Sequence, residues 1–209
     1  MTIEERDAPN SLTVAATYNN IGNVFLTKGD LEKAFDHYQY ALTIKERDAP
    51  NSLTVATSYN NIGLVYHEKG DLDKALEYYQ RALTLQEHDA PNLLTVATTY
   101  INIGLVYADK GDLDKALEYH QRALTIRDRD APNALAVAAS HKSIGHAYHK
   151  KGDLGKVLEH CHFAMALRER DAPNSLHAAS IKEMVAQFLA EKVDFDKTFE
   201  DFENMFDWL

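Results

Sequence analysis

Apolar residues in this chain recur on a helical beat, and the beat itself is repeated. Over residues 53–69, Val55, Tyr59, Ile62, Gly63 and Tyr66 fall at spacings of three, four and seven, which places them on one helix face. Gly70 closes that run, because glycine accepts the left-handed conformation that follows a helix C-terminus. Asp71 then offers an N-cap, with acidic residues in the following turn. Over residues 72–88, Leu72, Ala75, Leu76, Tyr79, Ala82 and Leu83 make a second apolar face. Pro91 blocks continuation and Asn92 can cap the next helix. The pattern predicts an antiparallel helix pair joined by a very short turn, helix A followed by helix B.

The pair is one copy of a longer design. The tetrapeptide Asp-Ala-Pro-Asn begins at Asp7, Asp48, Asp89, Asp130 and Asp171, each 41 residues from the last. A fixed period of this size marks a repeat array rather than one or two globular domains. The expected division is 1–7 as the tail of a preceding helix B, then repeats at 8–48, 49–89, 90–130 and 131–171. Residues 172–209 form a degenerate fifth repeat or C-terminal cap. Small residues recur in register: Gly22, Gly63, Gly104 and Gly145 in helix A, and Ala34, Ala75 and Ala116 with Ala41, Ala82, Ala123 and Ala164 in helix B. They are expected where two backbones approach closely. Tyr18, Tyr59 and Tyr100, with Tyr66, Tyr107 and Tyr148, are expected to fill the core between them.

The run Tyr59-x-x-Ile62-Gly63-x-x-Tyr66, then Gly70, Ala75-x-x-x-Tyr79 and Ala82, resembles the tetratricopeptide repeat family position by position. The long repeat and its Tyr-Asn-Asn-Ile-Gly core look most like the kinesin light chain type. The resemblance implies an all-α fold, a right-handed superhelical α-solenoid of antiparallel helix pairs whose A helices line a concave groove. Family positions that face inward carry Asn20, Asn61, Asn102 and Ser143 here. Beside them run Asn19, Asn60, Ile101 and Lys142, and one turn on come Asn23, Leu64, Leu105 and His146. Thr57 and Thr98 complete the expected lining. Asparagine is a mediocre helix former, so its recurrence in mid-helix asks for another reason. Its amide donates and accepts together, which suits a peptide backbone of any sequence. The alternative is that these amides only bond neighbouring helices, since buried polar groups must be paired. The row resembles the asparagine ladder of the tetratricopeptide domain of O-GlcNAc transferase, broken by Ser143. A chaperone-type carboxylate clamp is not expected, because only Asn23 and Lys142 match its places. The groove turns basic near Lys142, His146 and Lys150, so the acidic end of a ligand is expected there.

Charge and cysteine content narrow the partners. A net charge of −10 argues against nucleic acid and anionic membranes, which need basic surface. No apolar run reaches membrane-spanning length, and residues 1–6 carry no signal-peptide pattern. Cys161 is the single cysteine, which excludes an internal disulfide framework and fits a reducing, cytoplasmic setting. His141, His146, His149, His160 and His162 cluster in the fourth repeat, but on different faces and without a zinc spacing, so no metal is expected. His120 and His141 stand where other repeats have tyrosine and are expected to pair with polar neighbours. There is no phosphate loop, nucleophile elbow or paired-carboxylate motif, and no loop long enough to build a reactive site. A non-catalytic chain without cofactor is expected.

The two ends depart from the beat. Residues 2–7 align with 43–48, so the chain opens inside a repeat, as a piece of a longer array or a short capping stub would. At the other end Phe195, Phe199, Phe202, Phe206 and Leu209 keep helix B register. Asp194, Asp196, Glu200, Asp201, Glu203 and Asp207 stand against the single base Lys197. A polar-faced cap accounts for this. So does an acidic-aromatic segment, ending in Trp208, that docks in a groove or exchanges between two copies. Val193 replaces the turn glycine and would favour one continuous last helix. The leading expectation is a scaffold that binds an extended protein or peptide segment. The alternatives are self-assembly through the last helix and a sensor arm of a larger multidomain protein.

Overall fold

A computed structural model of the chain describes residues 11–50, 53–89, 94–130 and 134–171. They form eight helices: α1 Ser11–Thr27, α2 Leu31–Asp48, α3 Leu53–Glu68, α4 Leu72–Asp89, α5 Leu94–Asp109, α6 Leu113–Asp130, α7 Ala134–Lys151 and α8 Leu154–Asp171. The expected pairs appear as drawn from the apolar pattern, with ends within a residue or so. The stub at 1–7, the Pro91–Asn92 turn, Val193, the fifth repeat at 172–209 and its Phe195, Phe199, Phe202, Phe206 and Trp208 lie outside the described residues.

Turn chemistry sets each pair. Gly29, Gly70, Gly111 and Gly152 have φ of 75°, 78°, 82° and 78°, the left-handed region that only glycine enters cheaply. The carboxylates of Asp30, Asp71, Asp112 and Asp153 then accept the backbone N–H of the residue three on, at 3.1–3.2 Å. Each cap satisfies an otherwise orphaned donor of helix B.

The chain divides into two compact units, residues 1–110 and 111–209. In the first, α1 packs on α2 and α3 on α4, with α2 against α3, α4 against α5, and α3 touching α5. Its core includes Ala34, Tyr38, Leu42, Val55, Ile62 and Val65. In the second, α6 packs on α7 and α7 on α8, and one core cluster is Ala138, Val157, Cys161, Ala164 and Met165.

One core expectation needs correction. At Gly22 and Gly63 the notch does not admit a backbone. A Cβ on Gly22 would lie 2.5 Å from the Tyr38 ring, and one on Gly63 2.7 Å from the Tyr79 ring. The notch holds an aromatic side chain of helix B, and Tyr38 and Tyr79 are the largest fully buried side chains. The helix A tyrosines Tyr18, Tyr59, Tyr66, Tyr107 and Tyr148 are half-buried, and Tyr59, Tyr66 and Tyr148 pack against the core clusters as expected. Their polar tips explain this: the Tyr59 hydroxyl donates to Glu46 at 2.7 Å, and that of Tyr100, which is buried, donates to Glu87 at 2.7 Å. A tyrosine ring packs while its hydroxyl finds a partner at the rim.

Candidate functional site

Helices α3 and α5 are both A helices of the first unit, and their facing sides carry the recurrent asparagines. A cleft of about 330 Å³ lies between them, lined by Thr57, Asn60, Asn61, Leu64, Thr98 and Asn102 with Gln86 and Thr95. Six of these eight are residues expected from the sequence to line a groove. Gln86 and Thr95 were not.

The amides in the cleft divide into committed and uncommitted ones. Asn60 Nδ2 donates to Thr99 Oγ1 at 2.8 Å, tying α3 to α5. The Thr99 hydroxyl in turn lies 2.8 Å from Gln86 Oε1, to which it donates. Gln86 is 2 % exposed, so this polar rung runs through the wall of the cleft into the packed interior. Asn60 is therefore a structural bond between neighbouring repeats. Asn61 and Asn102 are half-buried, and their amides meet no hydrogen-bonding group among the described residues. Each keeps a donor and an acceptor for something entering the cleft. Thr57 and Thr98 spend their hydroxyl hydrogens within their own helices, on Leu53 O at 3.0 Å and Leu94 O at 3.1 Å. Each retains an outward lone pair. Leu64 supplies the apolar surface.

The other expected groove residues are placed as follows. Asn20 is exposed on α1. Asn23 Oδ1 accepts the Tyr38 hydroxyl at 2.7 Å, so half of its amide serves the core. Asn19 Oδ1 is sealed from solvent and has no hydrogen-bond partner. Ile101 and Leu105 are half-buried on α5, outside the cleft lining. In the second unit Lys142 and Ser143 are half-buried on α7 and His146 is exposed. Ser143 Oγ donates to Ala139 O at 3.2 Å.

A larger cleft, of about 510 Å³, lies on the first unit among Glu46, Pro50, Val55, Tyr59, Arg81, Thr84 and Leu85. Size favours it, but its polar groups are already engaged. Glu46 takes the Tyr59 hydroxyl, and Arg81 pairs with Glu77 and lies over the Tyr78 ring. The α3–α5 cleft has the free hydrogen-bonding capacity that a ligand site needs.

Among the described residues, the histidines of the second unit do not converge on a metal. His141 Nδ1 lies 2.9 Å from His160 Nδ1, and the pair stacks against Tyr148 and Phe163. Burial holds both rings below the ordinary histidine range. No cluster of three ligating side chains occurs among the described residues. His141 thus has the polar neighbour expected of it. His120 does not: it is 1 % exposed, its Nδ1 has no partner, and burial, with the nearby His146 charge, lowers its pKa to about 4. Burial also pushes the Cys161 thiol up to about 11, which leaves it unreactive at neutral pH.

A polar position recurs outside every expected site, buried at Lys45 and Gln86 and half-buried at Arg127. Lys45, Gln86 and Arg127 stand 41 residues apart near the ends of α2, α4 and α6. Each meets a buried hydroxyl of the helix that follows. Lys45 Nζ donates to Ser58 Oγ at 2.9 Å, Gln86 Oε1 accepts from Thr99, and Arg127 Nη1 donates to Ser140 Oγ at 3.0 Å. Arg127 Nη1 also reaches Ala136 O at 3.0 Å. The recurring Ser or Thr on an apolar helix face was the signal for this rung.

Helix pairs of this length, with these glycine notches and caps, define a helical-repeat array. The chain belongs to the tetratricopeptide repeat family, whose profile matches residues 10–88 and 95–170. Among solved structures it is similar to BtubC (BKLC) from P. vanneervenii, at 25% identity and a TM-score of 0.69 over 78% of this chain and 66% of that one. It shares its fold with a putative kinesin light chain of Podosopora anserina with nearly identical TPR-like repeats, at 12% identity and a TM-score of 0.71, over 94% and 96% of the two chains. It also shares it with a Rap protein complexed with competence and sporulation factor, at 19% identity and a TM-score of 0.77, over 96% of this chain and 55% of that one. The chain thus spans about two thirds of the BtubC protein and about half of the Rap protein. No curated protein matches it. No helix among the described residues is long and apolar enough to cross a membrane.

Proposed function

We propose that the chain is a non-catalytic interaction scaffold that holds an extended peptide segment in the cleft between its A helices. The observation that carries this is the pair of uncommitted amides, Asn61 and Asn102, one repeat apart in the same cleft. An amide that can donate and accept at once matches the alternating N–H and C=O of an extended backbone. Repetition at the array's period lets one strand of peptide be held at more than one point. The Rap protein of similar fold is complexed with competence and sporulation factor, which supports a ligand-holding role for this type of array.

The test is binding of an immobilised peptide library to the wild type and to the double variant Asn61→Ala/Asn102→Ala. Each lost hydrogen bond is worth about 0.5–1.5 kcal/mol. The double variant should therefore bind roughly five- to 150-fold more weakly, with an unchanged melting temperature. Equal binding by both proteins would exclude the amide row as the grip.

A further inference from the structure

One face of α1 repeats a surface that α3, α5 and α7 keep covered. Val24 stands at the register of Val65, Val106 and Ala147, which are 0 % exposed, yet it is itself 53 % exposed. Ile21 is half-buried, where Ile62, Ile103 and Ile144 are buried. In the later repeats the cover is the preceding helix B: α2 on α3, α4 on α5 and α6 on α7. No described helix stands in that place against α1, which packs on α2.

Two further groups of α1 lack the partner that their counterparts have. Tyr66 stacks on Tyr78 and takes the edge of the Phe35 ring from α2, with centroids 5.6 Å apart. Phe25, its equivalent, stacks on His37 and meets no ring from a preceding helix B among the described residues. Lys69, Lys110 and Lys151 each pair with an acid in the first turn of the preceding helix B, namely Glu32, Asp73 and Asp114. Lys69 also lies over the Phe35 ring. Lys28, at the same register, is exposed and has no carboxylate among the described residues.

The complement to this face is written elsewhere in the sequence. Phe195, Phe199, Phe202 and Phe206 stand at the register of Leu31, Phe35, Tyr38 and Leu42. In α2, Tyr38 turns to its own helix A through the Gly22 notch, whereas Phe35 turns to the next helix A and meets Tyr66. By register Phe202 belongs to the first face and Phe199 to the second. Asp196 stands at the register of Glu32, Asp73 and Asp114, a series that Gly155 interrupts in α8. Residues 195–209 lie outside the described residues, so this match is one of sequence register.

We propose that the α1 face docks residues 195–209 of a second copy, stacking copies head to tail through the same helix B to helix A contact that joins the repeats. Phe199 supplies the ring that Phe25 lacks and covers Val24, and Asp196 supplies the carboxylate for Lys28. The acidic character of the docking segment suits that lysine. The contact is heterologous, so a stack keeps an open head and an open tail, and its mass grows with concentration. The α3–α5 cleft takes no part in it, so the peptide-binding reading stands or falls separately.

The experiment is sedimentation of the full chain over a concentration series from micromolar to millimolar. The mass of the wild type should rise along the series. Val24→Glu changes an exposed side chain and should keep the fold, yet weaken association by about a hundredfold, because stacking would bury its charge. Lys28→Glu and Asp196→Lys should each weaken it by about tenfold. Mixing those two variants should restore association to the wild-type level, since every junction between unlike copies then sets opposite charges together. A wild type that stays monomeric throughout overturns the proposal, as does association that Val24→Glu leaves unchanged. No recovery in the mixture overturns the pairing of Lys28 with Asp196, and with it residues 195–209 as the occupant.

Discussion

The same notch is filled in two ways. In the first unit, Gly22 and Gly63 receive the rings of Tyr38 and Tyr79, with no room for a methyl group. In the second, Gly145 faces Cys161, and a Cβ there would sit 3.5 Å from Sγ, an ordinary contact. One glycine is thus required by packing and the other is not. The difference shows that a residue recurring at a fixed period need not keep the same physical job in every copy. Beside the notch the ring pairing is kept, with His141 and His160 at the register where Tyr59 and Tyr78 meet in the first unit. His141 and His160 bond to each other and stack between Tyr148 and Phe163.

The sharpest way to break this comparison is to add the methyl. Gly63→Ala forces the Tyr79 ring out of a fully buried place, and overpacking of this kind costs about 1–3 kcal/mol. Helix propensity returns up to about 1 kcal/mol of that. Gly145→Ala meets no clash and keeps the propensity gain, so it should stabilise by up to about 1 kcal/mol. Urea unfolding should therefore find Gly63→Ala less stable than Gly145→Ala by about 1–3 kcal/mol, the overpacking cost alone. A loss of stability in Gly145→Ala as large as that in Gly63→Ala would show that the glycines do one job after all.

Much of this architecture was readable beforehand because it is local. Helical periodicity, a glycine after each helix A and an aspartate cap before each helix B are properties of adjacent residues. The pairing of helices followed from the short turns. What filled the glycine notch was not readable, since a small residue on a helix face says that something approaches and not whether it is a backbone or a ring. The cleft was legible through its asparagines, whose helix propensity is poor enough to need a reason. The rung beneath it was missed because lysine, glutamine and arginine usually mark solvent. Only their register with Ser58, Thr99 and Ser140 betrays that these three turn toward the hydroxyl of the next helix.

Acid separates the two units next. The buried titratable core groups at the notches of the first unit are Tyr38, raised by burial to about 12, and Tyr79, also raised by burial. They are neutral when folded and lose stability only as pH rises past the ordinary tyrosine range. In the second unit, burial lowers His120 to about 4 and also lowers His141 and His160. For these groups the unfolded chain binds the proton more readily than the folded one. Their contribution is complete above the unfolded pKa of about 6.5 and is lost as pH falls toward the folded value. His120 alone should cost about 2 kcal/mol between pH 7 and pH 5. Amide exchange at the two pH values should show α6–α8 opening more readily at pH 5, with α1–α4 much less changed. The difference should shrink by most of that amount in His120→Met. An unchanged slope in that variant would assign the acid sensitivity to other groups.

The smallest effect asks whether the notch reads the ring or its hydroxyl. The Tyr38 hydroxyl donates to Asn23 Oδ1, but the residue equivalent to Asn23 in the next repeat is Leu64, and the Tyr79 hydroxyl is buried without a partner. If the ring alone is needed, Tyr79→Phe removes an unsatisfied polar atom and should be neutral or stabilising by up to about 1 kcal/mol. Tyr38→Phe breaks a made bond whose acceptor stays near solvent, and should destabilise by about 0.5–1.5 kcal/mol. Thermal unfolding of the pair measures the contrast. A stabilising Tyr79→Phe would mean that the hydroxyl there is retained from the repeat's common plan and serves no bond within the core. A destabilising one would require a water or a ligand group to be held at the Leu64 end of the cleft, which would tie the notch directly to the binding surface.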